Sequence, residues 1–259
     1  MKIKDWISNN SIPIMAVVLF GFWALGYFFI GFSSNPAEGF SLSTSTDLRI
    51  PFKPIFIFPY LALYPIFLMP FFLVKDKFFF RVFASAYITV MVFCYLIYWN
   101  FPVVMSRGKI QGTDLACYAL SIVYNNDPLT NCFPSMHAAM AMMASLTLYA
   151  INRLYGLLSL LATIFLGISA LLIKQHYLAD ILGGFGIAAI IYYAYFKQRI
   201  HETLSRDFKK INVVFEQYVE DFLEKRLESI IDRRVEQKLK EMSAALKDPS
   251  APPNQRPLP

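Results

Sequence analysis

Long apolar stretches, separated by short polar segments, dominate the first 196 residues of the chain. A helix that crosses a bilayer needs about 20 mostly apolar residues, and six stretches come near this length. The predicted spans cover residues 12–31, 55–74, 82–104, 135–151, 154–173 and 176–196. This pattern predicts an all-α integral membrane protein in which residues 1–196 form a six-transmembrane-helix bundle.

The basic residues of the short loops predict the orientation of this bundle, because Lys and Arg accumulate on the cytoplasmic side of membrane proteins. With six spans, both termini lie on one side of the membrane. The loops on that side contain eight basic residues, Lys2, Lys4, Lys75, Lys77, Arg81, Arg153, Lys197 and Arg199. The opposite loops contain five, Arg49, Lys53, Arg107, Lys109 and Lys174. We therefore expect both termini to face the cytoplasm.

The pattern changes after residue 196 and defines two further segments. Residues 197–247 are predicted to form a charged amphipathic cytoplasmic helix, because apolar residues recur there at spacings of four and three. Such a stripe favours a helix that lies on the membrane. A short coiled coil that joins copies of the chain into a homo-oligomer is the second interpretation. Residues 248–259, DPSAPPNQRPLP, are predicted to be disordered.

Composition and charge agree with a membrane protein. Hydrophobic residues make up 56% of the chain and aromatic residues 17%, which is unlike an ordinary soluble domain. The net charge of +6 suits a cytoplasmic surface that faces anionic lipid. The basic residues are spread thinly and form no nucleic-acid-binding motif, so we expect no nucleic acid partner.

The number of spans brings three polar segments to the outer face, although they lie far apart in sequence. NFPVVMSRGK (100–109) follows the third span, FPSMH (133–137) begins the fourth, and KQHYLAD (174–180) joins the fifth to the sixth. In the last segment, His176 and Asp180 are four residues apart and share one helix face. The carboxylate would fix the imidazole tautomer and leave the other ring nitrogen as a base or nucleophile.

The remaining candidates at this face suit a phosphate group. His137 is a candidate general acid. Ser135 is the predicted N-cap of the fourth span, whose first backbone amides attract anions. Arg107, Lys109 and Lys174 add positive charge. Two imidazoles, a carboxylate, cations and a helix N-terminus together predict attack on phosphorus with charge stabilisation by the protein.

Each residue also has a structural interpretation when it is taken alone. A single interfacial histidine is more often a polar anchor, and Lys174 at a helix end is most often a side chain that extends toward water. A metal site with His137, His176 and Asp180 as ligands is a further alternative, but the nearby cations oppose a divalent ion. The combination favours phosphate chemistry without a metal, because ionisable groups at membrane depth are usually functional.

The FPSMH segment followed by HxxxD resembles the type 2 phosphatidic acid phosphatase (PAP2) superfamily, whose usual motifs are KxxxxxxRP, PSGH and SRxxxxxHxxxD. The finer similarity is to the branch that includes inositol phosphorylceramide synthases and similar bacterial membrane proteins. It is carried by DLRIPFKPIF (47–56), NCFPSMHAA (131–139) and KQHYLADILGG (174–184), within residues 45–195.

This resemblance implies a role for each site residue. His176 would be the nucleophile that forms a phosphohistidine, Asp180 would orient it, and His137 would protonate the leaving alcohol. Ser135 and Arg107 would hold phosphate oxygens. The resemblance also implies a lipid phosphate substrate, no metal or cofactor, and a site on the outer face of the bacterial cytoplasmic membrane.

The chain departs from the family pattern in an informative way. Asn100 stands at the Lys of the first motif, and Gly108 rather than Pro follows Arg107. Ala170 stands at the Arg of the third motif, and Lys174 is the candidate that restores its charge. These departures fit a transferase at least as well as a phosphatase.

The leading interpretation is therefore a membrane lipid phosphate or diphosphate phosphatase that acts through phosphohistidine. The alternative is a phospholipid head-group phosphotransferase, similar to inositol phosphorylceramide synthase, in which a lipid alcohol replaces water as the acceptor. A non-catalytic lipid-binding scaffold or transporter is the second alternative, favoured by the missing Lys and Arg. Cys117 and Cys132 share the outer loop before the fourth span, where a disulfide and free thiols both remain open.

Overall fold

The computed structural model of the chain describes residues 11–61, 63–198 and 238. The chain divides into two compact units, Met1–His201 and Glu202–Pro259. The predicted cytoplasmic helix at 197–247 lies outside the described residues except for positions 197, 198 and 238, and the predicted disordered tail at 248–259 lies wholly outside them.

The described residues are helical apart from loops and two isolated bridges that pair Phe40 with Val103 and Val103 with Asn131. The α-helices in this range are α1 (Ser11–Ser33), α2 (Ser45–Arg49), α3 (Ile57–Leu61), α4 (Leu63–Leu73), α5 (Lys77–Asn100), α6 (Leu115–Asn126), α7 (Met136–Ile151), α8 (Arg153–Leu172) and α9 (Leu178–Tyr192). Short 3₁₀ turns at Pro36–Glu38 and Pro54–Phe56 and a π-helical turn at Tyr193–Lys197 complete them.

Five helical segments are long and apolar enough to cross a membrane, by length and composition. They are Ile12–Ser33, Pro54–Leu73, Lys77–Asn100, Arg153–Leu172 and Leu178–Lys197. The all-helical prediction is confirmed for the described residues, and spanning length is confirmed for five of the six predicted spans.

The remaining predicted span, 135–151, corresponds to α7, which has 16 residues. At 1.5 Å per residue it is about 24 Å long, shorter than the hydrocarbon layer of about 30 Å. It packs against α4, α5, α8 and α9, and 11 of its residues are buried. Helix α7 is therefore the central helix of the bundle, and it packs largely against other helices rather than facing outward.

Small residues on α7 let its neighbours approach closely. Gly184 of α9 lies against the start of α7, where an added Cβ would be 3.2 Å from the amide nitrogen of Ala139 and closer still to the carbonyl oxygen of Ser135. Farther along the helix, the hydroxyl of Ser145 lies 2.7 Å from that of Ser159 and 2.9 Å from that of Thr163. Close backbone contact and shared hydroxyl hydrogen bonds are the usual means of joining helices in membranes.

A polar segment between α1 and α3, residues 41–53, crosses the C-terminal end of α8 and is called the strap below. The Lys53 amide donates to the carbonyl of Leu172 over 2.8 Å. At its other end, the Ser41 hydroxyl lies 3.1 Å from that of Tyr177. The strap thus covers the loop between α8 and α9, which contains His176.

Candidate functional site

Four predicted site residues meet at one end of the bundle, and we call Ser135, His137, His176 and Asp180 the histidine cluster. Ser135 caps α7 by accepting from the Ala138 amide at 3.2 Å. Its hydroxyl lies 3.0 Å from Nε2 of His176, and its amide donates to the Asp180 carbonyl over 2.9 Å. All four residues are buried, with at most 6% of their surface exposed.

Asp180 occupies the first turn of α9, where a backbone amide at the start of the same helix fixes its carboxylate. Its Oδ2 accepts a 2.8 Å hydrogen bond from the amide of Tyr177, the residue that precedes the helix. The same oxygen is 3.4 Å from Nδ1 of His176. Asp180 therefore faces one nitrogen of the imidazole while Ser135 faces the other. This arrangement orients the ring and points Nε2 at the hydroxyl that caps α7.

Three buried polar atoms of the histidine cluster have no hydrogen-bond partner in the protein. They are Nδ1 of His137, Nδ1 of His176 and Oδ1 of Asp180. Buried polar atoms in native proteins are usually paired, and those that are not commonly serve chemistry or bind a ligand. The cluster therefore has unused capacity to hydrogen-bond or to bind a ligand.

His137 lies on the inner side of the cluster, within a group of rings. Its ring centroid is 6.2 Å from that of His176, 5.4 Å from Tyr27 and 6.2 Å from Tyr60. The two tyrosines belong to α1 and α3, so elements distant in sequence enclose His137. The aromatic residues restrict its ring and keep it near His176.

A cavity of about 510 Å³ opens beside His176. The strap forms one wall with Ser43 and Asp47, and the segment after α5 forms another with Ser106 and Lys109. Tyr177 and Lys174 complete the polar lining. Of the predicted phosphate-binding cations, Lys109 and Lys174 thus share this cavity with His176, whereas Arg107 is not among its lining residues.

Lys174 occupies an unusual position in the loop before His176. Its φ of 51° lies in the left-handed region, which costs a residue with a Cβ roughly 1 kcal/mol. Its ammonium donates to the strap carbonyls of Asp47 and Ile50 over 2.8 and 2.7 Å. These bonds hold the turn that places His176 beside the cavity. Lys174 thus links the strap to the loop that contains His176.

Asp47 is a buried strap residue that sequence reasoning missed as part of this region. Its Oδ1 accepts from the Leu178 amide over 2.8 Å, and its Oδ2 accepts from the amide and hydroxyl of Thr44. Burial alone would raise the pKa of Asp47, but the hydrogen bonds from Thr44 and Leu178 and the charge of Lys174 lower it overall. Asp47 thus links the strap to the start of α9 as a carboxylate.

Arg107 belongs to a second polar group, which we call the arginine cluster: Arg107, Tyr124, Asp127, Tyr27 and Gln175. Its guanidinium donates to the carbonyls of Tyr124 and, over 2.8 Å, of Asp127, and it lies 4.8 Å from the centre of the Tyr124 ring. The Asp127 carboxylate accepts from the Tyr27 hydroxyl over 2.7 Å and from Nε2 of Gln175. The role of Arg107 in phosphate binding stays a prediction, and these are the partners that the structure gives it.

Sequence reasoning found no role for Asp127 or Gln175. The available signal was that Gln175 directly precedes His176, and the structure buries this polar side chain to 3% exposure. The start of α7 was expected to offer free backbone amides to an anion, but two of these amides already have hydrogen-bond partners. The Met136 amide donates to the Tyr98 hydroxyl over 3.1 Å, and the Ala138 amide donates to Ser135.

The three cysteines, Cys94, Cys117 and Cys132, are free thiols and are all buried. Cys132 packs with Val103, Met105 and Tyr177, whereas Cys117 lies on α6 and contacts its N-cap Asp114. The question of a Cys117–Cys132 disulfide, left open by the sequence, is answered in favour of free thiols.

Comparison with known proteins gives no match: neither a family model, nor a curated protein, nor a solved structure is similar to this chain. The fold and the site define a class nonetheless. The described residues form an all-helical protein with five segments long and apolar enough to span a membrane, and they bury a Ser–His–Asp arrangement with a second histidine at one end of the bundle.

Proposed function

We propose that this chain is a membrane enzyme that cleaves a phosphoester or diphosphate of a lipid through a phosphohistidine at His176. The observation that supports this proposal is the position of His176 between Ser135 and Asp180, beside a cavity that also contains two lysines. The resemblance of FPSMH and HxxxD to the PAP2 superfamily points to the same chemistry.

In the first step, Nε2 of His176 attacks phosphorus, and the bond from phosphorus to the leaving alcohol breaks. Asp180 accepts a hydrogen bond from the N–H at Nδ1 and stabilises the ring as positive charge develops. His137 donates a proton to the departing oxygen. Lys109 and Lys174 face the negative charge of the phosphate from the cavity wall.

In the second step, water attacks the phosphorus of the phosphohistidine, aided by His137 as the base. The bond between phosphorus and nitrogen breaks, inorganic phosphate leaves, and His176 returns to its starting state. The leaving lipid stays in the bilayer, since the site lies at the end of the apolar helices. By the distribution of basic residues, this end faces away from the cytoplasm, and the resemblance implies that the membrane is a bacterial cytoplasmic membrane.

Transfer to an alcohol is the second candidate, and the size of the cavity favours it. Its volume of about 510 Å³ exceeds what one phosphate group requires, so a head group or acceptor alcohol has room beside His176. The chemistry up to phosphohistidine, or the equivalent head-group adduct, is the same. Only the nucleophile of the second step differs.

The test is turnover by purified protein in lipid nanodiscs. Labelled phosphatidic acid, an isoprenyl diphosphate and phosphatidylinositol are each supplied with and without ceramide or diacylglycerol. We expect phosphate release or head-group transfer from at least one lipid, survival of this activity in EDTA, and inhibition by vanadate, which mimics five-coordinate phosphorus.

His176→Ala should abolish this turnover, and His201→Ala is the matched control, because the sequence places the third histidine on the cytoplasmic side. If His176→Ala and His137→Ala both turn over lipid like the unaltered protein, the enzyme proposal is wrong and a lipid-binding scaffold or transporter takes its place. Loss of activity on chelation, restored by a divalent ion, would favour a metal mechanism instead.

A further inference from the structure

Cys132, His176 and Asp180 form a compact set of metal-binding side chains. One donor atom from each, the thiol sulfur, a ring nitrogen and a carboxylate oxygen, lies within 4.8 Å of the other two. All three are at least 96% buried. Within the part of the chain that the structure describes, Cys132 thus takes the place that the sequence assigned to His137 in the metal alternative.

Two of these ligands have donor atoms without a partner. Nδ1 of His176 and Oδ1 of Asp180 are buried and make no hydrogen bond in the protein, although the ring and the carboxylate face each other at 3.4 Å. An unpaired buried acceptor loses its hydration without compensation. A cation held by the carboxylate and the ring nitrogen would satisfy both atoms at once.

The donor types select the kind of ion. A thiolate, an imidazole and a carboxylate suit Zn²⁺, whereas Mg²⁺ and Ca²⁺ prefer oxygen ligands. Zinc binds sulfur at about 2.3 Å and nitrogen or oxygen at about 2.0–2.2 Å. The donors therefore need to move together by up to about 1 Å.

Cys132 can change partners at modest cost. Its Sγ donates to the Leu129 carbonyl over 3.3 Å. A thiol is a weak hydrogen-bond donor, so an ion that binds thiolate strongly can replace this contact.

We propose that Cys132, His176 and Asp180 form an inhibitory binding site for Zn²⁺ or a similar thiophilic divalent ion. On binding, the Cys132 thiol releases one proton to water, the proton of His176 moves from Nδ1 to Nε2, and no group is oxidised or reduced. The ion then binds Nδ1 of His176 and separates it from Asp180. Inhibition rests on the proposed function, because it requires His176 to act as the nucleophile, but binding of the ion does not.

Co²⁺ is the probe for binding, since a cobalt–thiolate bond gives a charge-transfer absorption in the near ultraviolet. The protein in detergent should develop this band with one Co²⁺ per chain, and Zn²⁺ should remove it. Cys132→Ala and the more conservative Cys132→Ser should both abolish the band. Cys94→Ala and Cys117→Ala are the matched controls and should retain it. His176→Asn should weaken binding about 10-fold or more.

An equal band in folded Cys132→Ala, or no band in folded unaltered protein at saturating Co²⁺, would overturn the proposed site. The activity measurement then separates the two proposals. Zn²⁺ should inhibit turnover of the unaltered protein, and Cys132→Ala should need at least about 10-fold more Zn²⁺ for the same inhibition. A cobalt band without any lipid turnover would refute the proposed function alone, and His176-dependent turnover without a band would refute the metal site alone.

Discussion

The histidine cluster and the arginine cluster lie at the same end of the bundle and are both largely buried, yet they differ in how their polar atoms are paired. In the arginine cluster, Arg107 donates to two carbonyls and Asp127 accepts from two side chains, so both charged groups are paired, and Oε1 of Gln175 is the atom without a partner. In the histidine cluster, Nδ1 of both histidines and one oxygen of Asp180 have no partner. Paired charges stabilise a fold, whereas unpaired ones are available to a ligand. The comparison thus assigns Asp127 a role in stability and Asp180 a role in binding or chemistry.

Asp180→Asn should have the largest effect on turnover and a small effect on folding. Asparagine keeps an oxygen that can accept from the Tyr177 amide, but it lacks the charge that orients and stabilises His176. We expect turnover to fall about 10³- to 10⁴-fold, as when a triad aspartate is neutralised, with a thermal midpoint close to that of the unaltered protein. Steady-state kinetics and thermal unfolding of the same preparation check both parts. Turnover within a factor of three would contradict a role for Asp180 beside the nucleophile.

Lys174→Gly tests whether the ammonium in the cavity acts on the substrate. Glycine adopts a φ of 51° without strain, so this variant removes the charge without a backbone penalty. We expect turnover per folded protein to fall about 10- to 10³-fold, the range for loss of one transition-state charge partner.

Lys174→Arg is the companion variant and should retain part of the activity, because it keeps the charge. Turnover of Lys174→Gly near that of the unaltered protein would show instead that this lysine only anchors the strap. Lys109, and Arg107 through a rearrangement, would then be the remaining cations for the phosphate.

Asp127→Ala should show the opposite pattern to Asp180→Asn. Its loss leaves the hydroxyl of Tyr27 and the amide of Gln175 without their acceptor, and we expect a loss of stability of about 2–3 kcal/mol. Turnover per folded protein should change much less than in Asp180→Asn. Denaturant or thermal unfolding in detergent gives the stability, and equal effects of the two variants on rate would remove the distinction between the clusters.

Asp47→Asn should have the smallest effect, a change in how the stability of the fold depends on pH in the acid range. Because its pKa is lowered in the folded protein, its contribution to stability is complete above about pH 4, the usual aspartate value. It is lost as the pH falls through the lower native value. Asp47→Asn should reduce stability near neutral pH by roughly 1–2 kcal/mol, and the difference should shrink toward pH 3. A difference that stays constant from pH 7 to pH 3 would contradict the role of the charged form.

The apolar pattern was sufficient to predict the five helices of spanning length and the meeting of the histidine cluster. Hydropathy sets where helices lie, and the parity of the spans places Ser135, His176 and Asp180 on one face. The short α7 departs from the pattern for a packing reason. A helix enclosed by four others is apolar whether or not it has the length of a membrane span, so composition cannot distinguish the two.

The partners of Arg107, Lys174 and Asp47 could not be predicted, because they are mostly backbone groups. The sequence does not show which backbone carbonyl or amide a given side chain binds. Which carbonyls Lys174 reaches depends on the path of the strap, and the partners of Arg107 depend on where α6 ends. The position of Cys132 near the histidine cluster could not be predicted either, because its distance from Asp180 is set by the loop that precedes α7.

Trapping of the phosphoenzyme tests the central claim, a phosphohistidine at His176, most directly. The protein is mixed with phosphatidic acid, or another lipid that it turns over, carrying labelled phosphorus, and is quenched in alkali within the first turnover. The account predicts label on the protein that is stable to alkali and lost in acid. It also predicts that the label lies on the peptide containing His176 and is absent from His176→Asn. Label on a different residue, or equal turnover and labelling in His176→Asn, would contradict it.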